Sequence, residues 1–476
     1  MVHDAIVVPE NEQVPIKQKI AYGVGGLGEF FIANIVLGLS VPIFAVGMKL
    51  DPFILGLVMA GTKVVSAFAD PFVGIISDRS RYKWGRRKPF ILVFGILAAL
   101  LLPFVWLVPD VSDNLKFVYI FIVLSVYFFF HSFYKVPYDA LGYELTPNYD
   151  ERTKVFAWKN YVGMIGVFSG SWFYWFTMRP VFGNEMNGAA VLGVIGGALI
   201  IIGAITVTRG TREIGERQKL SSKKNKIPAM EALKSTFTNK SFLYIQGAIL
   251  VVALATGVDA TMGAYLHIHY TSSGDKDLAS LIGGVGGTIS TLAIFVALPT
   301  AVWISTRWGK REASMFGMSI MLISAIATPW LLNPIFPWLA IILWVLNTFG
   351  SQCSNLIYGS MVADVCDEDE LKTGRRREGS YAAASSFLFK FVQVFILIIS
   401  GAMPALAGYV DTSISPSMEQ LETMKVLVYS TNIVGVSAAI YFLYFYPLTR
   451  KRCSEIRKQL DERHAKLSHE PIHTEN

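Results

Sequence analysis

Charge is what this sequence has least of. Of its 476 residues only 16% are Asp, Glu, Lys or Arg, against about 25% in an ordinary soluble domain. A fold with so little polar surface cannot cover itself toward water, which excludes a soluble globular protein. Cysteine is scarce too: Cys353, Cys366 and Cys453 fall at no spacing that a metal site or disulfide framework requires. They read as packing residues, with acylation of Cys453 beside a membrane exit as the alternative. His-Glu-x-x-His, Gly-x-Ser-x-Gly and a phosphate loop are all missing, so an enzyme would lack its metal, nucleophile or nucleotide cradle. Gly283-Gly284-Val285-Gly286-Gly287 is not followed by Lys-Ser or Lys-Thr and suits close helix packing instead. No nucleotide-binding domain is present, which excludes self-contained ATP-driven transport. No metal, no cofactor and no catalytic residue is expected. Polar residues 1–19 precede the first apolar block, so no cleavable signal peptide is expected.

What remains is apolar and gathered into blocks. Hydrophobic residues make up 53% of the chain, and its mean hydropathy is +0.46. Stretches 191–207, 278–304 and 335–362 carry no charge at all, and a helix needs about 20 such residues to cross a hydrocarbon core. The blocks predict helices near 20–48, 52–77, 89–109, 115–145, 155–177 and 188–208, then near 241–270, 279–304, 312–332, 336–363, 380–408 and 425–447. Alternate loops hold the Lys and Arg, at 78–88, 146–154, 209–240, 307–311 and 364–377 and after Thr449. The net charge of +7 is therefore a positive-inside signature, not a nucleic-acid surface, and both termini are expected in the cytoplasm. The expected fold is an all-α, multi-pass inner-membrane protein of twelve transmembrane helices in two six-helix bundles. Residues 1–19 form a tail, 20–208 the first bundle, 209–240 a cytoplasmic connector, 241–447 the second bundle and 448–476 a second tail. A repeat supports the division: Trp84-Gly85-Arg86-Arg87-Lys88 closes the loop after helix 2, and Trp308-Gly309-Lys310-Arg311 closes the loop after helix 8. Two such bundles around a midplane site is an alternating-access architecture.

The first of these loops runs from Gly74 through Asp78 and Arg79 to Gly85-Arg86-Arg87-Lys88-Pro89, and resembles the gate signature of major facilitator transporters. Further matches are Ala69-Asp70-Pro71, Val136-Pro137-Tyr138-Asp139-Ala140-Leu141, Glu151-Arg152-Thr153, Met361-Val362-Ala363-Asp364 and Lys372-Thr373-Gly374-Arg375-Arg376-Arg377. Together with Tyr22-Gly23, Gly25 and Gly28 they are similar to the glycoside–pentoside–hexuronide:cation symporters, in both halves of the chain. The resemblance implies the major facilitator fold and gate pairs among Asp78, Arg79, Arg86, Arg87, Arg152 and Asp364. A solvated cytoplasmic loop is the plainer alternative for each.

A charge near a bilayer centre costs about 2.5–3.5 kcal/mol even on the mildest scale, so Glu29, Lys63, Asp70, Lys135, Asp139, Asp259 and Lys390 each need a reason. Lys63, Ser66 and Asp70 share one face of helix 2, and His131, Lys135 and Asp139 one face of helix 4. Paired acids and bases around a wet cavity would satisfy one another. A salt-bridge network that only holds helices together is the alternative.

The resemblance assigns roles by position. The family's helix-2 pattern Arg-x-x-Asp-x-x-x-Asp-Pro, whose two Asp bind the coupling cation, here reads Lys63-x-x-Ser66-x-x-x-Asp70-Pro71. The family's sugar-proximal Asp of helix 4 is here Lys135, its helix-1 Gly-Lys-Asp is Gly28-Glu29-Phe30, and its helix-11 Lys is kept as Lys390. A sodium site needs several oxygen ligands and net negative charge, so the loss of two carboxylates disfavours sodium. A proton needs one titratable group, and Asp70 or Glu29, with Ser66 and Ser132 beside them, could carry the coupling. Lys63, Lys135, Asp139 and Lys390 would then hold cargo, either a neutral sugar or an anionic uronide or sulfonated sugar. Uncoupled transport and a lipid cargo stay open. Tyr134, Tyr138 and Tyr381 could stack on a pyranose ring or pack inside. Trp172, Tyr174 and Trp175 read as an interfacial belt, with sugar stacking as the alternative, and His267 and His269 read as surface residues. The expected partners are a small-molecule substrate, a proton and membrane lipid, with no nucleic acid, and the chain is expected to act as a monomer.

Overall fold

A computed structural model describes residues 13–80, 82–146, 148–212, 237–374, 377–412 and 414–469. Among them there is no strand. In hydrocarbon a backbone has no water to bond, so each crossing segment must close its own hydrogen bonds, and a helix does so. The first six long helices are α1 (Ile16–Ser40), α2 (Pro52–Arg79), α3 (Lys88–Leu101), α4 (Asp113–Glu144), α5 (Tyr149–Gly170) and α6 (Glu185–Gly210). The next six are α7 (Lys240–Tyr265), α8 (Lys276–Arg307), α9 (Lys310–Leu331), α10 (Ala340–Thr373), α11 (Glu378–Leu406) and α12 (Met418–Tyr444), and α13 (Arg450–His469) follows them. Starts are set by local chemistry. Pro52 opens α2, where its missing N–H costs nothing, and the Asp51 carboxylate accepts from the amides of Phe53 at 2.8 Å and Ile54 at 2.9 Å. The Asn184 side chain caps α6 through the amide of Asn187 at 2.8 Å.

Among the described residues, 11 helices are long and apolar enough to cross a membrane. The twelfth is α5, whose 22 residues suffice in length but include Glu151, Arg152, Lys154 and Lys159. The expected connector 209–240 lies outside the described residues over 213–236.

The described helices gather into two compact units. In the first, α1 packs on α5 and α6, α2 on α4, and α3 on α4 and α6. This unit also takes in Ala260–Thr288 and Leu397–Leu421, so the end formed by the α5–α6 and α7–α8 connections is knit together within it. There Arg179 pairs with Asp277 at 2.9 Å and Lys276 with Glu185 at 2.8 Å. The Trp172 indole donates to the Thr288 hydroxyl at 3.0 Å, and Trp175 lies 4.2 Å beneath the Arg179 guanidinium. Trp172 and Trp175 thus join helix ends. His267 and His269 are no surface residues: the His267 ring sits 2.7 Å from the Ala279 carbonyl, and His269 stacks on Tyr265. In the second unit α9 packs on α10, and α10 on α13.

The repeat is visible as geometry. Gly85 and Gly309 both take positive φ, 115° and 131°, a conformation that glycine alone enters without strain. Each Trp-Gly step turns the chain so that the next residue faces a carboxylate at the end of the following helix pair. Arg86 pairs with Glu144 of α4, and Lys310 holds both oxygens of Asp364 of α10 at 2.6 and 2.8 Å.

Candidate functional site: a charge chain across three helices

The site starts from the glycines of α1. A Cβ on Gly25 would stand 2.8 Å from the Tyr138 ring, and one on Gly26 would meet the Tyr138 hydroxyl at 2.8 Å and the Lys159 stem at 2.9 Å. Their absence lets α4 and the Lys159 side chain lie against the α1 backbone. The Tyr134 hydroxyl donates to the Gly25 carbonyl at 2.8 Å and the Tyr138 hydroxyl to the Tyr22 carbonyl at 2.6 Å. Tyr22 and Tyr138 stack with centroids 4.6 Å apart. This stitching sets the register between the helices and carries Glu29 to the face of α4 that holds His131 and Lys135.

There one Glu29 oxygen lies 3.4 Å from His131 Nε2 and 3.4 Å from Lys135 Nζ. Lys135 also reaches Asp139 at 3.1 Å, and Lys159 of α5 holds the other Asp139 oxygen at 2.9 Å. The result is a chain of alternating sign, His131–Glu29–Lys135–Asp139–Lys159. Lys135 is its most open member, with 44% of its side chain exposed against 17% for Glu29. Between α2 and α4, the Ser66 and Ser132 hydroxyls bond each other at 3.0 Å. Lys63 Nζ sits 4.2 Å above the Phe128 ring, and the charge of Asp70 acts on it. Each charge thus has an answer close by, as low dielectric demands.

Of the residues named from sequence, the structure brings Glu29, Lys135 and Asp139 together, pairs Ser66 with Ser132, and sets Lys63 over the Phe128 ring. It does not bring the tyrosines to an open face. Tyr134 and Tyr138 are fully buried, with hydroxyls committed to the α1 backbone. Tyr381 is also fully buried in the second unit, edge-on to Phe242 and bonded by Asn239 at 3.0 Å. All three pack inside their units, with hydroxyls hydrogen-bonded to protein groups. Lys390 is exposed on α11 of the second unit. The Asp259 side chain lies outside the described residues. At the gate, Arg87 pairs with Asp78 and Glu144 and donates to the Ser77 hydroxyl at 2.7 Å, Arg152 donates to the Thr146 carbonyl at 3.3 Å, and Arg79 is exposed. His131, Lys159, Glu144 and Lys310 were missed as site residues. The signal for Lys159 was a lone cation inside the least apolar crossing segment, and that for His131 its place on the Lys135 stripe. Among the described residues no group of three His, Cys, Asp or Glu could hold a metal ion.

A family model for MFS/sugar transport proteins, the major facilitator sugar carriers, matches residues 21–450. The chain belongs to this family. Among curated relatives, a glucuronide carrier protein homolog of Escherichia coli is 23% identical over 95% of this chain and 97% of its own. The sodium-dependent lysophosphatidylcholine symporter 1 of Gallus gallus is 23% identical over 95% of this chain and 90% of its own. The crystal structure of a D-xylose-proton symporter shares the fold, with a TM-score of 0.62 at 14% identity, covering 91% of this chain and 98% of that one. The major facilitator fold read from the sequence is borne out, as is the resemblance to symporters. This family member is a multi-pass membrane transporter of the sugar and glycoside symporter type, and not an enzyme.

Proposed function

We propose that the chain carries a glycoside or sugar acid with a negative charge, driven by a proton and not by sodium. The observation that carries this is Lys135: a half-open ammonium at the centre of the charge chain, standing where the resembled family has a carboxylate. A cation offered to the cargo space selects an acidic group, such as the carboxylate of a uronide or the sulfonate of a sulfonated sugar. A glucuronide carrier homolog among the relatives supports that class. The sodium-dependent relative makes coupling the point to test. Ser66 and Ser132 offer hydroxyls where a sodium site would want carboxylates, whereas a proton needs one carboxyl, Glu29 or Asp70. The two six-helix halves, on either side of 209–240, alternate access to this site in the inner membrane, with both termini cytoplasmic and the chain acting as a monomer. The test is uptake of a radiolabelled glucuronide into proteoliposomes under an imposed pH or sodium gradient. Accumulation should follow the inward proton gradient. Accumulation that follows sodium and ignores pH overturns the coupling.

A further inference from the structure

The charge chain is balanced before any cargo arrives. The carboxylates of Glu29 and Asp139 cancel the ammonium groups of Lys135 and Lys159. The contacts of Lys135 are unequal. It is 3.1 Å from Asp139 but 3.4 Å from Glu29, and Asp139 keeps a second cation, Lys159, at 2.9 Å. Glu29 is therefore the partner that can be displaced, and displacement leaves it with His131 alone.

We propose that Glu29 is a built-in stand-in for the acidic group of the cargo, and that its displacement from Lys135 makes the Glu29–His131 pair take up one proton. This rests on the anionic cargo proposed above. A cargo carboxylate that reaches Lys135 brings one negative charge into the cluster, and uncompensated charge in a low-dielectric site is costly. A proton taken from hydronium, which leaves as water, restores the balance. It forms one N–H bond on the imidazole, or equivalently one O–H bond on Glu29, and no other bond changes. Histidine is the side chain whose charge ordinarily switches in the neutral pH range.

The other charges facing this pair are already answered. On α4 and α5 they are Lys135, Asp139 and Lys159, which form the rest of the chain. Lys63 of α2 lies across the Phe128 ring and is acted on by Asp70. The hydroxyls of Tyr134 and Tyr138 are bonded to α1 carbonyls. On α6 the only charges are Glu185 and Arg209, at its two ends. A neutral glycoside adds no charge and should call for no proton.

The experiment measures proton uptake on binding by the purified full chain in weakly buffered detergent at neutral pH. The probes are 4-nitrophenyl β-D-glucuronide and the matching glucoside. Expected is about one proton per glucuronide bound and none per glucoside. Glu29→Gln, whose side chain is neutral from the start, should bind the glucuronide several-fold more tightly with no proton uptake and a flattened pH dependence. His131→Gln should still bind it, with proton uptake cut by more than half. Glucuronide binding without proton uptake in the unmodified protein overturns the stand-in role while leaving the anionic cargo in place. The same follows if both variants take up the proton as the unmodified protein does. Binding of the glucoside alone, or of neither probe, overturns the anionic cargo and this inference with it.

Discussion

At the scale of single residues, the polar side chains divide into those that meet cargo and those that hold helices. On the proposed function, Lys135 belongs to the first group. Lys135→Ala should weaken binding of acidic glycosides by roughly 10- to 150-fold, the loss of a charge-assisted hydrogen bond of about 1.5–3 kcal/mol. Neutral analogues should be little changed, and equilibrium binding of the two probe classes measures the difference. Asp70→Asn should keep proton-driven accumulation if the proton is taken up by Glu29 and His131 as proposed; loss of accumulation with intact exchange would move the coupling to α2. Glu151 belongs to the second group. It accepts from the Val14 amide at 3.2 Å and pairs with Lys19 and Lys154 at 2.8 Å each. Glu151→Gln removes these partners and should lower stability by about 1–3 kcal/mol, read from the melting midpoint. The sequence showed the stripe of His131, Lys135 and Asp139 because helical spacing is local. It could not show that Tyr134 and Tyr138 are spent on carbonyls of α1, since a backbone acceptor on another helix leaves no mark in composition.

At the scale of elements, apolarity located the crossing helices and failed where function intrudes. Among the described residues eleven helices satisfy length and hydropathy together, while α5 does not. Its Lys159 stem is sheltered on the Gly26 backbone and its ammonium is neutralised by Asp139, so neither faces lipid as a hydropathy average assumes. The Trp-Gly repeat was legible for the opposite reason: its geometry is written in two adjacent residues. Substituting Gly85 or Gly309 by Ala forces a side chain into the left-handed region, at a cost of about 1–3 kcal/mol. Each substitution should loosen the pair that follows it, Arg86–Glu144 or Lys310–Asp364. Amide hydrogen exchange at the ends of α4 and α10 should rise in the respective variant; unchanged exchange would make the turns incidental. Outside the membrane segments, the Cys453 thiol of α13 is pushed up to about 12 by burial, with Asp364 adding to it. That favours the packing role over acylation, because the protonated thiol is the unreactive form.

At the scale of the whole molecule, the knit end of the first unit has to open if cargo is to enter there. Its two ion pairs differ in burial. Asp277 is 62% exposed, whereas Glu185 is 13% exposed. An exposed pair contributes about 0–1 kcal/mol, so Lys276–Glu185 should be the firmer hold. With a cysteine placed at Ser171, which packs against Gly287, Lys276→Ala should speed labelling by a membrane-impermeant maleimide several-fold, and Arg179→Ala should do so far less. Equal rates in both variants would show that the aromatic contacts alone keep this end shut.

The duplicated Trp-Gly turn has a practical consequence. One polypeptide contains the turn followed by a cation–carboxylate pair twice, once as Arg86–Glu144 and once as Lys310–Asp364, with Glu144 27% and Asp364 14% exposed. Each copy is the internal reference for the other: identical expression, identical lipid, identical temperature. A perturbation applied to both copies, one at a time, therefore compares the two pairs under shared conditions, a control that two separate proteins could not match as closely.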